Sequence, residues 1–183
     1  MRDARLLLAA LLHPGIVAAA DWCSTGAGDF SFETRFEGEK LPGEFRDFDV
    51  TFRFDPNRPE DAELEVTVNL KAADMGDPEM NAVLFAPEWF DTERFGQAVF
   101  TSTRVEPEGD DGYAAKGTLQ LKGKRGAVTV PFSWQGGGGQ ARMQGVFELR
   151  RTRFDVGTGE WADDDAIGLD VKLAFDIELE HCD

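Results

Sequence analysis

The sequence predicts an all-β chain of about eight antiparallel strands. Apolar residues recur at every second position through most of the chain, and clusters of Gly, Pro, Asn and Asp separate the runs. Alternation of period two gives each strand one apolar and one polar face, the pattern of an antiparallel sheet covered on one side. One segment breaks the pattern: between residues 77 and 95 the spacing turns helical.

Phe30, Phe32 and Phe36 share one parity and predict the first strand, ahead of a Gly/Pro turn at residues 38–43. Phe48, Val50, Phe52 and Phe54 predict the second, ended by Asp55-Pro56-Asn57. Leu64, Val66, Val68 and Leu70 form the third, with Glu65, Thr67 and Asn69 between them. Asp77 then offers an N-cap, Pro78 suits a first helical turn, and Met80, Val83 and Leu84 share a helical face. Pro87 interrupts and Trp89-Phe90 resumes toward Phe95, so the segment reads as one or two short helices inserted between strands three and four. Val99, Thr101, Thr103 and Val105 make a weaker fourth strand. Tyr113 to Leu121 supplies the fifth, Val128, Val130, Phe132 and Trp134 the sixth, and Met143 to Leu149, leading on to Phe154, the seventh. The last is the clearest: Ile167, Leu169, Val171, Leu173, Phe175, Ile177 and Leu179 alternate with polar or small residues. Eight such strands must stack as a sandwich or close into a barrel, and the pattern alone leaves both open.

Residues 1–20 read as a signal peptide: Arg2 and Arg5, an apolar stretch from Leu6 to Leu12, then Ala18-Ala19-Ala20 ahead of Asp21. The apolar run is too short to span a bilayer, and no later segment approaches that length. Residues 21–183 then form one domain, exported and without stable membrane insertion. Cys23 and Cys182 stand at the two ends of this domain. An oxidising compartment favours their pairing, and closing so long a loop would contribute about 4–5 kcal/mol through chain entropy.

Composition excludes several functions. With 19 Lys and Arg against 35 Asp and Glu, the formal charge of −16 repels nucleic acid and anionic lipid surfaces. Once the leader is removed His181 is the only histidine, which leaves neither a plausible catalytic triad nor a multi-histidine metal site. Asp163-Asp164-Asp165 matches no calcium-loop spacing. The four glycines at 136–139 lack the Lys and helix of a phosphate cradle. Lys122, Lys124 and Arg125 read as a surface turn. The expectation is a protein with no catalytic residue, no metal and no cofactor.

The ordered motifs Gly43-Glu44-Phe45, Phe52-Arg53-Phe54-Asp55-Pro56, Trp89-Phe90-Asp91 with Phe95, and Phe100-Thr101-Ser102-Thr103 resemble the YceI-like family of bacterial periplasmic proteins. So do Gly117 to Gly123 followed by Val128-Thr129-Val130-Pro131, and Arg151-Thr152-Arg153-Phe154 with Gly159-Glu160-Trp161. The resemblance implies an extended, eight-stranded, antiparallel, lipocalin-like barrel whose lumen takes a long isoprenoid chain, a polyprenyl or a quinone tail. It implies a soluble periplasmic carrier rather than an enzyme. On that reading Phe52, Phe54, Val66, Val68, Leu119, Phe132, Trp134, Phe147, Leu173 and Phe175 line the channel. Leu84, Trp89, Phe90 and Phe95 cap one end, and Arg153 with Phe154 lies where the polar head emerges. Three alternatives stand beside the carrier. A filled barrel acting as a structural or protein-interaction module would have no cavity, and an outer-membrane barrel would need an apolar outer belt. An enzyme acting on lipid would need an acid of perturbed pKa in the channel. A homodimer is left open.

Overall fold

The structure, a computed structural model, describes residues 20–109 and 112–182. Residues 1–19 of the expected leader lie outside the described residues. In chain order the elements are β1 (Ala20–Phe36), β2 (Glu39–Phe45), β3 (Phe48–Phe54), β4 (Glu63–Asn69), β5 (Ala73–Asp74), α1 (Pro78–Phe85), β6 (Gln97–Glu108), β7 (Gly112–Leu121), β8 (Lys124–Gly137), β9 (Gln140–Arg150) and β10 (Asp170–His181). Eight of the strands close into an antiparallel barrel in the order β1-β3-β4-β6-β7-β8-β9-β10, with β10 returning to β1. Closure leaves no free edge in the ring itself, which disposes of the sandwich alternative.

All eight sequence-predicted strands are present, and two further ones join them. Most of the segment at 38–43 is a strand rather than a turn: residues 39–43 belong to β2, and the turn is made by Glu37 and Gly38, with φ of 49° and 87°. β2 then folds back on β1, and short β5 pairs with β2. Pro42 and Gly43 concealed this strand, since both lower strand propensity. β1 also starts ten residues earlier than Phe30. Its first stretch, Ala20–Cys23, pairs with β3, its last, Ser31–Phe36, pairs with β2, and β10 runs beside both. The change of partner occurs at a bulge between Ser24 and Gly28. Gly28 has φ of 128° and lies so close to the Asp176 carbonyl that a Cβ there would collide with it. Only glycine fits.

A second bulge, on β6 between Ser102 and Arg104, corrects the fourth predicted strand. Ala98 and Phe100 point inward before it and Val105 after it, so Thr101 and Thr103 face outward. One inserted residue reverses the parity, which no alternation count can register. The last strand begins at Asp170 rather than Ile167; Ile167 makes only an isolated bridge to Phe36. β9 stops at Arg150, and residues 151–154 form a single 3₁₀ turn.

The inserted segment contains one α-helix, followed by turns. Asp77 caps it through bonds from the Glu79 and Met80 amides at 2.8 and 3.1 Å. After Pro87 the chain makes tight turns, with Asp91 at φ 51°, and no second helix forms. The helix is fastened to the sheet by Asn81, which accepts from the Met75 amide and donates to Asp74 at 2.7 Å.

At one end the inward rows fill the barrel with rings. Phe52 stacks on Phe54 with centroids 4.6 Å apart, Trp134 meets both at 5.5 and 5.0 Å, and Phe132, Tyr113 and Trp22 complete the cluster. The disulfide Cys23–Cys182, with Cα atoms 5.2 Å apart, ties the β1–β10 closure at this same end. It spans 159 residues of sequence.

Replacing both cysteines by serine is expected to lower the unfolding free energy by about 2–5 kcal/mol, measured by urea titration, with reductant giving the wild-type chain the same loss. A second expectation concerns pH. The Asn81 amide, the Gly76 N–H and Arg46 together hold the Asp74 carboxyl below the ordinary aspartate range. Its folded pKa is therefore the depressed one. Its stabilising contribution is complete above the unfolded value near 4 and disappears as pH falls through the lower folded value. Asp74→Asn should unfold at lower urea than the wild type at pH 7, and the gap between the two should close below about pH 4.

Candidate binding cavity

Beyond the ring-filled end the inward rows do not meet. They enclose a cavity of about 330 Å³, at the small end of the range for ligand sites. Phe30, Phe32, Leu173 and Phe175 come from the β1–β10 side, Val66, Val68 and Phe100 from β4 and β6, and Leu119, Val130 and Phe147 from β7, β8 and β9. Met80, Val83 and Leu84 of α1, Trp89 and Phe90 of the following turns, and Trp161 and Ile167 of the 155–169 loop roof the far end. Phe36 and Val83 belong to this wall yet remain 40% and 50% exposed, which marks the mouth between the β1–β2 hairpin and the helix.

Among the described residues, the wall contains no Asp, Glu, His, Ser or Cys. Two of its residues are polar, and both have turned their donors to backbone. The Thr34 hydroxyl lies 3.3 Å from the Gly168 and Asp170 carbonyls. Arg151 is only 2% exposed, and all five of its N–H groups go to carbonyls: Gly168 at 2.9 Å, Val156 at 3.0 Å, Gly157 at 3.2 Å, Asp163 at 3.0 Å and Ile167 at 3.0 Å. Burial pulls Arg151 below the usual arginine range, against the attraction of Asp163, and arginine at such a site keeps its charge. Gly157, at φ 74°, packs so tightly on the guanidinium that a Cβ would collide with it. Arg151 thus shapes the roof by holding the 155–169 loop from inside. It has no N–H left for a ligand.

Nine of the fifteen sequence-predicted channel residues are in the wall: Val66, Val68, Leu84, Trp89, Phe90, Leu119, Phe147, Leu173 and Phe175. Six are elsewhere. Phe52, Phe54, Phe132 and Trp134 have the predicted inward parity but belong to the sealed end, where rings from opposite strands meet. Phe95 packs over Gly123 in the β7–β8 turn. Phe154 is fully buried against Gly126 of β8, and Arg153 reaches from the end of β9 to the Ala127 carbonyl at 2.9 Å. These last two close a gap, because β8 pairs with β9 only over Ser133–Gly137. Arg153 is therefore placed as a brace between two strands, outside the cavity wall, and the arginine that lines the cavity is Arg151. Phe30, Phe32 and Phe100 were missed. The first two were legible as an inward row of the first strand, whereas Phe100 was masked by the β6 bulge. Arg151 continues the parity of Phe147 and Leu149, but an arginine at that position does not read as part of an apolar wall.

Residues 25–179 match the model of the YceI-like domain. The chain belongs to the YceI-like family. Among its curated relatives, Protein YceI of Salmonella arizonae is 33% identical over 124 residues, 64% of each chain, so this YceI-like chain matches just under two thirds of that relative's length. Among solved structures, BcnA of Burkholderia cenocepacia is 30% identical with a TM-score of 0.79, over 82% of this chain and 95% of that one. A polyisoprenoid binding domain from Saccharophagus degradans, implicated in plant cell wall breakdown, shares the fold at 15% identity and a TM-score of 0.72, over 90% and 99%. The YCEI protein of Campylobacter jejuni does so at 17% and 0.69, over 81% and 90%.

Arg151→Met removes five bonds to buried carbonyls while keeping an apolar side chain of similar reach. It is expected to cost about 3 kcal/mol in urea unfolding and to speed amide hydrogen exchange first in residues 155–168 of this YceI-like barrel.

Proposed function

We propose that this YceI-like protein is a periplasmic carrier that holds one long isoprenoid chain, a polyprenyl or a quinone tail, inside the barrel without a catalytic step. The observation that carries the reading is the open apolar half of the barrel, whose Thr34 and Arg151 have their donors occupied by backbone. Such a wall has little with which to recognise a polar molecule along its length, and an apolar cavity stays dry until an apolar guest enters. Burying several hundred Å² of tail gives on the order of 10–20 kcal/mol gross, from which ordering the chain subtracts a large part. The polyisoprenoid binding of the Saccharophagus degradans domain with the same fold supports this class of guest. The two rival barrels fit less well. A filled module would extend the ring packing through the whole lumen. A membrane barrel would need an apolar outer belt, whereas the outward row of β10 includes Asp170, Lys172, Glu178 and Glu180.

Native mass spectrometry of protein purified from its own cell envelope, followed by organic extraction, is expected to show one isoprenoid lipid per chain. Ala98→Phe, which places a ring in the wall, should fold normally by circular dichroism and lose at least about tenfold of that lipid. Reproducible absence of lipid from the wild-type protein overturns the carrier.

A further inference from the structure

The cavity ends on a floor whose position is set by a few apolar side chains. On β9 and β10 the last wall residues toward the sealed end are Met143 and Ile177, a register pair, each only 2% exposed. Leu64 of β4 and Val130 of β8 are the last on their strands. Beside and beneath them the rings begin. Trp134 pairs with Met143, Phe52 pairs with Leu64, and Phe132 is the next inward residue after Val130. Phe52 and Phe132 meet across the lumen with centroids 5.7 Å apart, so rings block the barrel below this level. The other end opens to water at Phe36 and Val83.

A sealed apolar floor and a wet mouth fix the direction of a guest that has one polar end. Against Met143 and Ile177 that end would lose its hydration and gain no partner, whereas at the mouth it keeps its water. The far end of the tail therefore points to the floor. The strands give the depth. Val171 and Ile177, both in the wall, are six residues apart on β10, ~20 Å along the strand at ~3.3 Å per residue. A strand tilt of ~40° shortens this to ~15 Å along the barrel axis. An extended hydrocarbon advances ~1.2 Å per bond, as a peptide backbone does, so an isoprene unit of about four chain bonds takes ~5 Å.

We infer that Met143, with Ile177, Leu64 and Val130, is the stop on which the far end of the tail rests, and that the barrel encloses about three isoprene units. Any further unit of a longer tail stays outside the mouth. This rests on the carrier reading and deepens it by assigning the tail a direction, an enclosed length and the residues that measure it.

The test titrates the delipidated mature chain with geraniol, farnesol, geranylgeraniol and geranylfarnesol, prenols of increasing length, by displacement of N-phenyl-1-naphthylamine. Affinity is expected to rise at least about tenfold from geraniol to farnesol and less than about threefold for each unit beyond. Met143→Ala lowers the floor, and geranylgeraniol should then bind about fivefold or more better than farnesol. Val130→Phe raises it, and farnesol should then bind no more than about threefold better than geraniol. In isotope-filtered NOE spectra of wild-type protein carrying ¹³C-methyl methionine, the terminal isopropylidene methyls of farnesol should contact Met143. Its hydroxyl-end protons should instead contact Met75 or Met80, the cavity methionines beside and on α1. Affinity that climbs evenly through all four prenols overturns the inference and leaves the carrier intact. So do folded variants that leave the levelling point unmoved, and terminal methyls that contact Met75 or Met80. Should a variant fail to fold, the wild-type series and the NOE contacts decide by the same outcomes. If no prenol binds the wild type, the carrier reading fails and takes this inference with it.

Discussion

The width of a closed eight-stranded barrel is the constraint from which the rest follows. Eight strands leave an interior just wide enough for side chains from opposite walls to meet, or for one slender guest to lie between them. This chain does both. Where Phe52, Phe54, Phe132, Tyr113, Trp134 and Trp22 face one another, the rings span the lumen and touch. Where Val66, Val68, Leu119 and Val130 replace rings on one side, the rows fall short of one another and a cavity remains. A filled floor and a hollow upper half are consequences of side-chain size at equivalent depths on different strands.

The roof is assembled by different means, because helix, turns and loop cannot share a ladder of strand hydrogen bonds. Asn81 and Asp74 fix α1 to the sheet, Glu88 accepts from the Gly157 and Thr158 amides at 2.9 Å, and Arg151 gathers five carbonyls of the 155–169 segment and its flanks. Each of these devices supplies partners to backbone that would otherwise be buried without them. The outcome is a roof of Met, Val, Leu, Trp and Ile side chains whose polar groups are turned to backbone rather than to the cavity.

Much of this was legible before any coordinates. The strand count of the ring, the helix cap at Asp77 and the inward parity of most strands follow from periodicity and local chemistry, which act over a few residues, whereas the expected pairing of Cys23 with Cys182 came from an exported chain holding two cysteines. The misreadings have physical causes of their own. Residues 38–43 read as a turn because Pro42 and Gly43 disfavour strands in isolation, yet a hairpin partner supplied by β1 overrides that preference. The β6 bulge reversed a parity, and the brace made by Arg153 between β9 and β8 depends on two strands separating, which neither strand encodes alone.

The sequence by itself determined which face of most strands turns inward, because alternation is a property of a single strand and its side chains until a bulge interrupts it. It did not determine depth. Phe54 and Phe175 are equally apolar and equally inward, but one closes the floor and the other lines the cavity, since each position is defined by the register of neighbouring strands and the tilt that closes the ring. The same holds for Arg151: only the assembled roof decides that the arginine has five carbonyls within reach.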